Sequence, residues 1–155
     1  MAEFTATVTH TSSGGAGASK TALSGFLAME YYALILNRTF IVFIAPDGLY
    51  GWKVRGLVAA GAPRDYFQDY AKRLDDPKLM NDVTAARDLA NLKGGFFIPR
   101  SEIASVEIVP KQKEGMAGIY HTGRILIHFA SGKKREFILL GKNVDAERIK
   151  RLILR

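Results

Sequence analysis

The sequence contains no cysteine, and this absence removes several classes of site. The chain can form no disulfide framework, no zinc site with thiolate ligands and no cysteine nucleophile. A chain without cysteine fits a reducing compartment, so we expect a cytoplasmic location.

The first residues give no signal-peptide pattern, and the sequence contains no unbroken hydrophobic run. Residues 1–5 show no basic region followed by an apolar core, which a secretory signal requires. The longest apolar stretch, residues 26–45, is interrupted by Glu30, Asn37 and Arg38, whereas a membrane span needs about 20 mostly apolar residues. We therefore expect one domain, residues 1–155, that contacts a membrane at most peripherally.

No complete nucleotide-binding motif occurs in the sequence. Residues 12–21, SSGGAGASKT, approach a phosphate-binding loop, but Ser19 stands where the motif requires a glycine before the lysine. Asp47 follows a hydrophobic run, yet it lies inside a Pro-Asp-Gly turn and not at a magnesium-binding position. We expect a glycine-rich loop between strands, with a loop over a bound ligand as the alternative.

Catalytic and metal-binding motifs are missing as well. The serine motif GxSxG is absent, and His10, His121 and His128 have no carboxylate placed to complete a metal site. We therefore predict no catalytic residue, no cofactor-binding residue and no metal ligand.

Positive charge is abundant, and it is concentrated in the last third of the chain. Residues 1–60 carry 4 basic and 3 acidic side chains (+1), residues 61–95 carry 6 and 6 (zero), and residues 96–155 carry 12 and 6 (+6), which gives the total of +7. A one-sided basic surface attracts nucleic acid, anionic lipid or an acidic protein. The alternative is an ordinary solubilising surface.

Most of the chain predicts β-structure. Residues 4–10 alternate with period two, and residues 40–44 and 49–54 form a hairpin around the turn Pro46-Asp47-Gly48. Residues 103–108 alternate likewise, and a second hairpin joins residues 124–130 to 135–140. Residues 21–36 fit either a helix or a buried strand.

Two regions predict helices. Residues 63–91 predict a helical pair inserted among the strands, in which Asp76 caps the second helix and Gly94-Gly95 ends it. The chain closes with a helix capped by Asn143. The apolar stripe of this last helix consists of Ile149, Leu152 and Ile153.

Five basic residues lie on the two loops that flank the strand at residues 124–130. If both loops project from the same end of the fold, these side chains form a cationic rim suited to an anionic group such as a phosphate headgroup. The five residues are Lys111, Lys113, Lys133, Lys134 and Arg135.

Several segments together resemble the bacterial pleckstrin-homology-like domains. The likeness covers residues 32–60 and 96–155, and it depends on the segments 37–42, 98–108, 123–127, 131–139 and 145–149. The resemblance implies an α+β roll of two nearly orthogonal antiparallel sheets capped by one C-terminal helix, and it does not imply an enzyme. The helical insertion and the glycine-rich start depart from the minimal pattern.

These observations favour a non-enzymatic binding or interaction module. Its partner is an acidic protein or anionic lipid headgroups, met through the basic loops. Alternative hypotheses are a self-assembling structural domain, which forms a homo-oligomer through a strand edge or the helical pair, and a small-ligand carrier or enzyme with a pocket beneath the glycine-rich loop. Nucleic acid is disfavoured because the sequence contains no recognised binding motif.

Overall fold

The structure, a computed structural model, describes residues 22–33, 36–55, 68–114, 119, 121–142 and 144–155. In this part of the chain, strands form one curled antiparallel sheet in the order β4-β3-β2-β1-β7-β6-β5. The strands are β1 (Ser24–Ala33), β2 (Leu36–Ala45), β3 (Gly48–Arg55), β4 (Phe96–Pro99), β5 (Ile103–Val109), β6 (His121–Phe129) and β7 (Lys134–Leu140). The helices are α1 (Gln68–Ala71), α2 (Pro77–Met80), α3 (Val83–Ala90) and α4 (Ala146–Leu154).

This architecture confirms the α+β class and is compatible with a pleckstrin-homology-like roll. The predicted strand at residues 4–10, the glycine-rich residues 12–21, the first predicted helical residues 63–67 and Asn143 lie outside the described residues. None of the helices in the described part of the chain has the length and apolar composition needed to cross a membrane.

Both predicted hairpins are confirmed. β2 and β3 pair in antiparallel fashion around the turn at Pro46-Asp47, with Phe43 opposite Tyr50. β6 and β7 pair with His128 opposite Lys134. Gly132 in the second turn has a φ of +80°, a left-handed conformation that glycine adopts without steric cost.

The ambiguous residues 24–33 form a central strand of the sheet. β1 has β2 on one side and β7 on the other, and both of its faces are covered. Phe26 and Ala28 lie in one hydrophobic core, while Leu27 and Met29 lie in the other. Because apolar side chains leave both faces, the sequence shows no alternation.

The helical insertion is a series of short helices and not a pair. α1 continues into a 3-10 turn at Lys72–Asp75, and the predicted cap Asp76 starts α2 by accepting a hydrogen bond from the Lys78 N–H at 2.9 Å. α2 stops at Met80 because Asp82 begins a new helix, accepting the N–H groups of Thr84 and Ala85 at 2.9 and 3.1 Å.

The last helix ends within one residue of the predicted limit, residue 91, but the predicted role of Gly94-Gly95 in ending it is wrong. α3 stops at Ala90, four residues before Gly94, and the Asn91 N–H bonds back to the Arg87 carbonyl. Gly94 is needed later, in the turn toward β4, where its φ is +86°.

The sheet separates two hydrophobic cores. The inner face packs on α4, through the buried side chains of Ile149 and Ile153. The outer face packs on α3, through Ala86 and Ala90, and on the residues of α1 and α2. The cap of α4 is Asp145, whose side chain accepts the Arg148 N–H at 2.8 Å.

Candidate functional site: a basic strip on the outer face of β6 and β7

The two loops that carry the predicted basic residues leave opposite ends of β6. Lys111 and Lys113 precede its first residue, and Lys133 and Lys134 follow its last. β6 has nine residues, which span about 26 Å in an extended strand. A single rim in which both loops project from the same end of this strand therefore does not form.

Lys113 nevertheless reaches the middle of β7, because its loop folds back over the outer face. Its ammonium lies 2.6 Å from the Glu136 carboxylate and 5.5 Å from the centre of the Tyr31 ring. The Lys113 backbone N–H donates to Nε2 of the buried His121 at 2.9 Å, and Nδ1 of that ring lies 3.1 Å from the Ile119 carbonyl oxygen. These contacts hold Lys113 against the sheet.

Lys111 stays in solvent. Its side chain is exposed and lies 3.5 Å from the equally exposed Glu114 carboxylate. An ion pair of this kind contributes little to stability, so Lys111 is available to a partner.

Strand alternation separates Lys134 from Arg135. Lys134 and Glu136 are two residues apart and share the outer face, whereas Arg135 between them faces inward. The Arg135 guanidinium pairs with both oxygens of Glu30 and lies 3.5 Å from the centre of the Phe96 ring. Arg135 therefore packs in the interior of the fold. It does not belong to the exposed basic surface that the sequence predicted.

Four cations form what we call the basic strip: Lys113, Arg124, Lys133 and Lys134. Arg124 donates to Glu136 at 2.6 Å, so Lys113 and Arg124 share one carboxylate. Lys133 and Lys134 are exposed, and no acidic side chain among the described residues forms an ion pair with either. Four positive charges against the negative charge of Glu136 give the strip +3, and the exposed Glu107 on the same face of β5 reduces the surface charge to +2.

The Glu136 carboxylate bonds to both Lys113 and Arg124, and these bonds affect its pKa. Partial burial alone would raise that pKa, but the hydrogen bonds from Lys113 and Arg124 outweigh burial and leave the pKa of Glu136 below its ordinary value of 4.5. A carboxyl with a lowered pKa stabilises the fold above its unfolded-state pKa, and this stabilisation is lost as the pH falls through the folded-state pKa.

We predict that Glu136→Gln lowers the free energy of unfolding at pH 7, and that the difference from the unaltered chain shrinks below pH 4.5. Urea denaturation at a series of pH values measures this. Glu102→Gln, which removes an exposed carboxylate outside the strip, serves as the control. A Glu136→Gln deficit that is as large at pH 3 as at pH 7 would contradict the role assigned to the ion pairs.

The sequence interpretation missed Arg124 and Glu136. Both lie in predicted strands, where they alternate with the buried residues Ile125 and Phe137. This alternation in the sequence therefore indicates which residues lie on the polar face of each strand. Their meeting depends on the β6–β7 register, in which Leu126 stands opposite Glu136 and Arg124 lies diagonally from it.

Three other kinds of site considered from the sequence, a histidine site, a metal site and a ligand pocket, are not part of the basic strip. His128 lies 3.2 Å from Glu107 on the outer face, beside the strip. Within the described ranges, no group of three or more histidine, aspartate or glutamate side chains is arranged to hold a metal ion. A cleft of about 600 Å³ begins at Leu23, close behind the glycine-rich stretch in the sequence, on a different part of the molecule.

Comparison of the chain with protein-family models, curated proteins and solved structures finds no match.

Proposed function

We propose that this protein is a non-enzymatic binding module with a pleckstrin-homology-like roll, and that its basic strip binds anionic lipid headgroups at a membrane surface. The supporting observation is the exposure of Lys133 and Lys134 at the β6–β7 turn, with no acidic partner among the described residues. Lys113 and Arg124 extend the positive surface from this turn along the sheet.

The strip suits a diffuse anionic surface better than a single small anion. Lysine ammonium groups are flexible point charges and do not impose the planar two-point geometry of arginine. Each basic residue near an anionic membrane contributes about 1 kcal/mol, and the attraction decreases within the Debye length of about 8 Å at physiological salt. Such binding is strongly salt-dependent and needs no enclosed pocket.

Self-assembly through the β5 edge has less support. A register irregularity between Ile103 and Ser105 disturbs the start of this edge strand, and Glu107 is exposed on it. Pro110 directly follows the strand and lacks a donor N–H. Bulges, charges and prolines are the features that discourage edge-to-edge pairing.

Vesicle co-sedimentation tests the proposal. We expect the protein to sediment with vesicles of phosphatidylserine and phosphatidylcholine, to stay in solution with pure phosphatidylcholine, and to be released by high salt. Lys133→Gln/Lys134→Gln should weaken the partition coefficient by about 30-fold, since two lysines at about 1 kcal/mol each are removed.

The matched control is Lys78→Gln/Lys93→Gln, which removes the same charge from two exposed positions, one in α2 and one in the turn between α3 and β4. This variant should sediment nearly as well as the unaltered chain. Equal loss in both double variants would mean that net charge alone drives binding. Absence of binding to anionic vesicles, together with binding to a polyglutamate resin that depends on Lys133 and Lys134, would assign the strip to an acidic protein instead.

A further inference from the structure

The hydrogen bonds of the His121 ring fix it in one neutral tautomer. Nδ1 lies 3.1 Å from the Ile119 carbonyl oxygen, which only accepts hydrogen bonds, so Nδ1 carries the hydrogen. Nε2 lies 2.9 Å from the Lys113 backbone nitrogen, which only donates, so Nε2 carries a free lone pair. The residue is 6% exposed, so both partners belong to the protein and not to water. The structure therefore holds the uncharged form of the ring.

The bond to Nε2 also attaches residues 111–114 to the start of β6. It is the only hydrogen bond that a backbone N–H of these residues donates within the described part of the chain. Two other contacts to β6 are longer and weaker: Gln112 Nε2 lies 3.4 Å from the His121 carbonyl oxygen, and Arg124 Nε lies 3.3 Å from the Lys111 carbonyl oxygen. The attachment of this segment therefore depends mainly on the His121 ring.

A second proton on the ring is incompatible with this attachment. Since Nδ1 already carries a hydrogen, the second proton goes to Nε2, where it removes the lone pair that accepts the Lys113 N–H. Two N–H groups would then point at each other. Histidine is the side chain that gains a charge between about pH 5 and 8. Mild acid therefore favours a state in which residues 111–114 have left the ring.

The charges around the ring favour the same release. Lys111 and Glu114 pair with each other, and the Glu136 carboxylate bonds to Lys113 and Arg124. Burial raises the pKa of the Tyr31 hydroxyl above its ordinary value of 10.0, so this group stays neutral. Four cations against two carboxylates leave these surroundings at +2, which opposes a positive ring while the segment is in place. The charged and titratable side chains on the elements around the ring are Lys111, Lys113, Glu114, Arg124, Glu136, Lys142 and Tyr31.

We propose that His121 is a pH-sensitive latch on the basic strip: proton uptake at Nε2 releases residues 111–114 from β6, and the strip then binds anionic lipid more strongly. The effect on lipid rests on the proposed membrane function, whereas the release of the segment does not. The proton adds one positive charge to the surface. In addition, the Lys113 ammonium separates from Glu136 and becomes available to a headgroup.

Nuclear magnetic resonance on the full chain tests the release. The parent variant, His10→Gln/His128→Gln, keeps His121 as its only histidine. At pH 7.5 the ring nitrogen shifts should show the hydrogen on Nδ1. As the ring gains its second proton, the protection factor of the Lys113 amide against hydrogen exchange should fall at least about tenfold. Protection in the middle of β6, at residues 125–127, should stay the same.

A matched variant adds His121→Gln to this parent. Glutamine carries a side-chain amide oxygen that accepts the Lys113 N–H and takes up no proton in this pH range, so the protection of that amide should not change with pH. Partition onto vesicles of phosphatidylserine and phosphatidylcholine should rise at least about fivefold from pH 7.5 to 5.5 in the parent, the effect of one added cation. It should rise less than about twofold in the matched variant. The parent retains the native ring, so its titration decides the question even if His121→Gln destabilises the fold.

Three results would overturn the latch: a hydrogen on Nε2 at pH 7.5, protonation of the ring without loss of Lys113 protection, or an equal gain in vesicle binding by the parent and the matched variant. Failure of the proposed function has a different signature. If neither variant binds anionic vesicles at any pH, the membrane role is wrong, and loss of Lys113 protection in the same titration still supports the release of the segment.

Discussion

Replacing Arg100 with methionine is expected to lower the free energy of unfolding by about 3 kcal/mol. The Arg100 guanidinium donates to the carbonyls of Ala45 and Pro46, at 2.6 and 2.9 Å, and to those of Leu152 and Ile153 in the last turn of α4. One side chain thereby joins the β2–β3 turn to the end of the C-terminal helix. Its positive charge also lies at the negative end of the helix dipole.

Urea denaturation at pH 7 measures the effect. Arg100→Lys is the informative companion, because lysine keeps the charge but cannot reach four carbonyls at once. We expect it to recover less than half of the loss. If Arg100→Lys were as stable as the unaltered chain, charge alone would explain the role of Arg100. If Arg100→Met lowered the unfolding free energy by less than about 0.5 kcal/mol, the hydrogen bonds between the turn and the helix would contribute nothing to stability.

Replacing Arg135 with methionine is expected to cost about 2 kcal/mol of unfolding free energy and to leave the charge of the basic strip unchanged. The guanidinium is three-quarters buried and pairs with Glu30, whose side chain is 18% exposed. Removing it leaves a carboxylate without this partner in the interior. It also removes the stacking on Phe96.

Two further variants separate stability from binding. Glu30→Gln/Arg135→Met should recover part of the loss, since it removes the unpaired carboxylate as well. Lys134→Met, one residue away on the outer face, should change the unfolding free energy by less than about 0.5 kcal/mol but weaken vesicle binding. The opposite result would be an Arg135→Met variant that is as stable as the unaltered chain but no longer binds anionic vesicles. It would mean that Arg135 belongs to the binding surface.

The basic residues near the end of the chain illustrate what a sequence can predict of a site. The run Lys133-Lys134-Arg135 follows a turn, and Ser131-Gly132 predicts that turn from the sequence. The opposite directions of Lys134 and Arg135 follow from strand alternation, but the burial of Arg135 required a partner, Glu30, that lies 105 residues away in the sequence. Local sequence carries no signal for such a contact.

β1 shows the same limit for the fold. Leu23, Phe26 and Leu27 fit a helical spacing as well as a buried strand. Only the positions of β2, β7 and the covering helices decide in favour of the strand, since they bury both faces. The short helices differ in this respect: the capping aspartates Asp76 and Asp82 act within two or three residues, so their signals are local.

The sequence by itself therefore determined the two hairpins, the C-terminal helix and the excess of positive charge in the last third of the chain. These features depend on turn chemistry, hydrophobic period and composition, which act over a few residues or none. The tertiary structure alone decided which cations share Glu136 and which one is buried against Glu30. Those outcomes depend on strand order and register, because register fixes which distant side chains stand on the same face of the sheet.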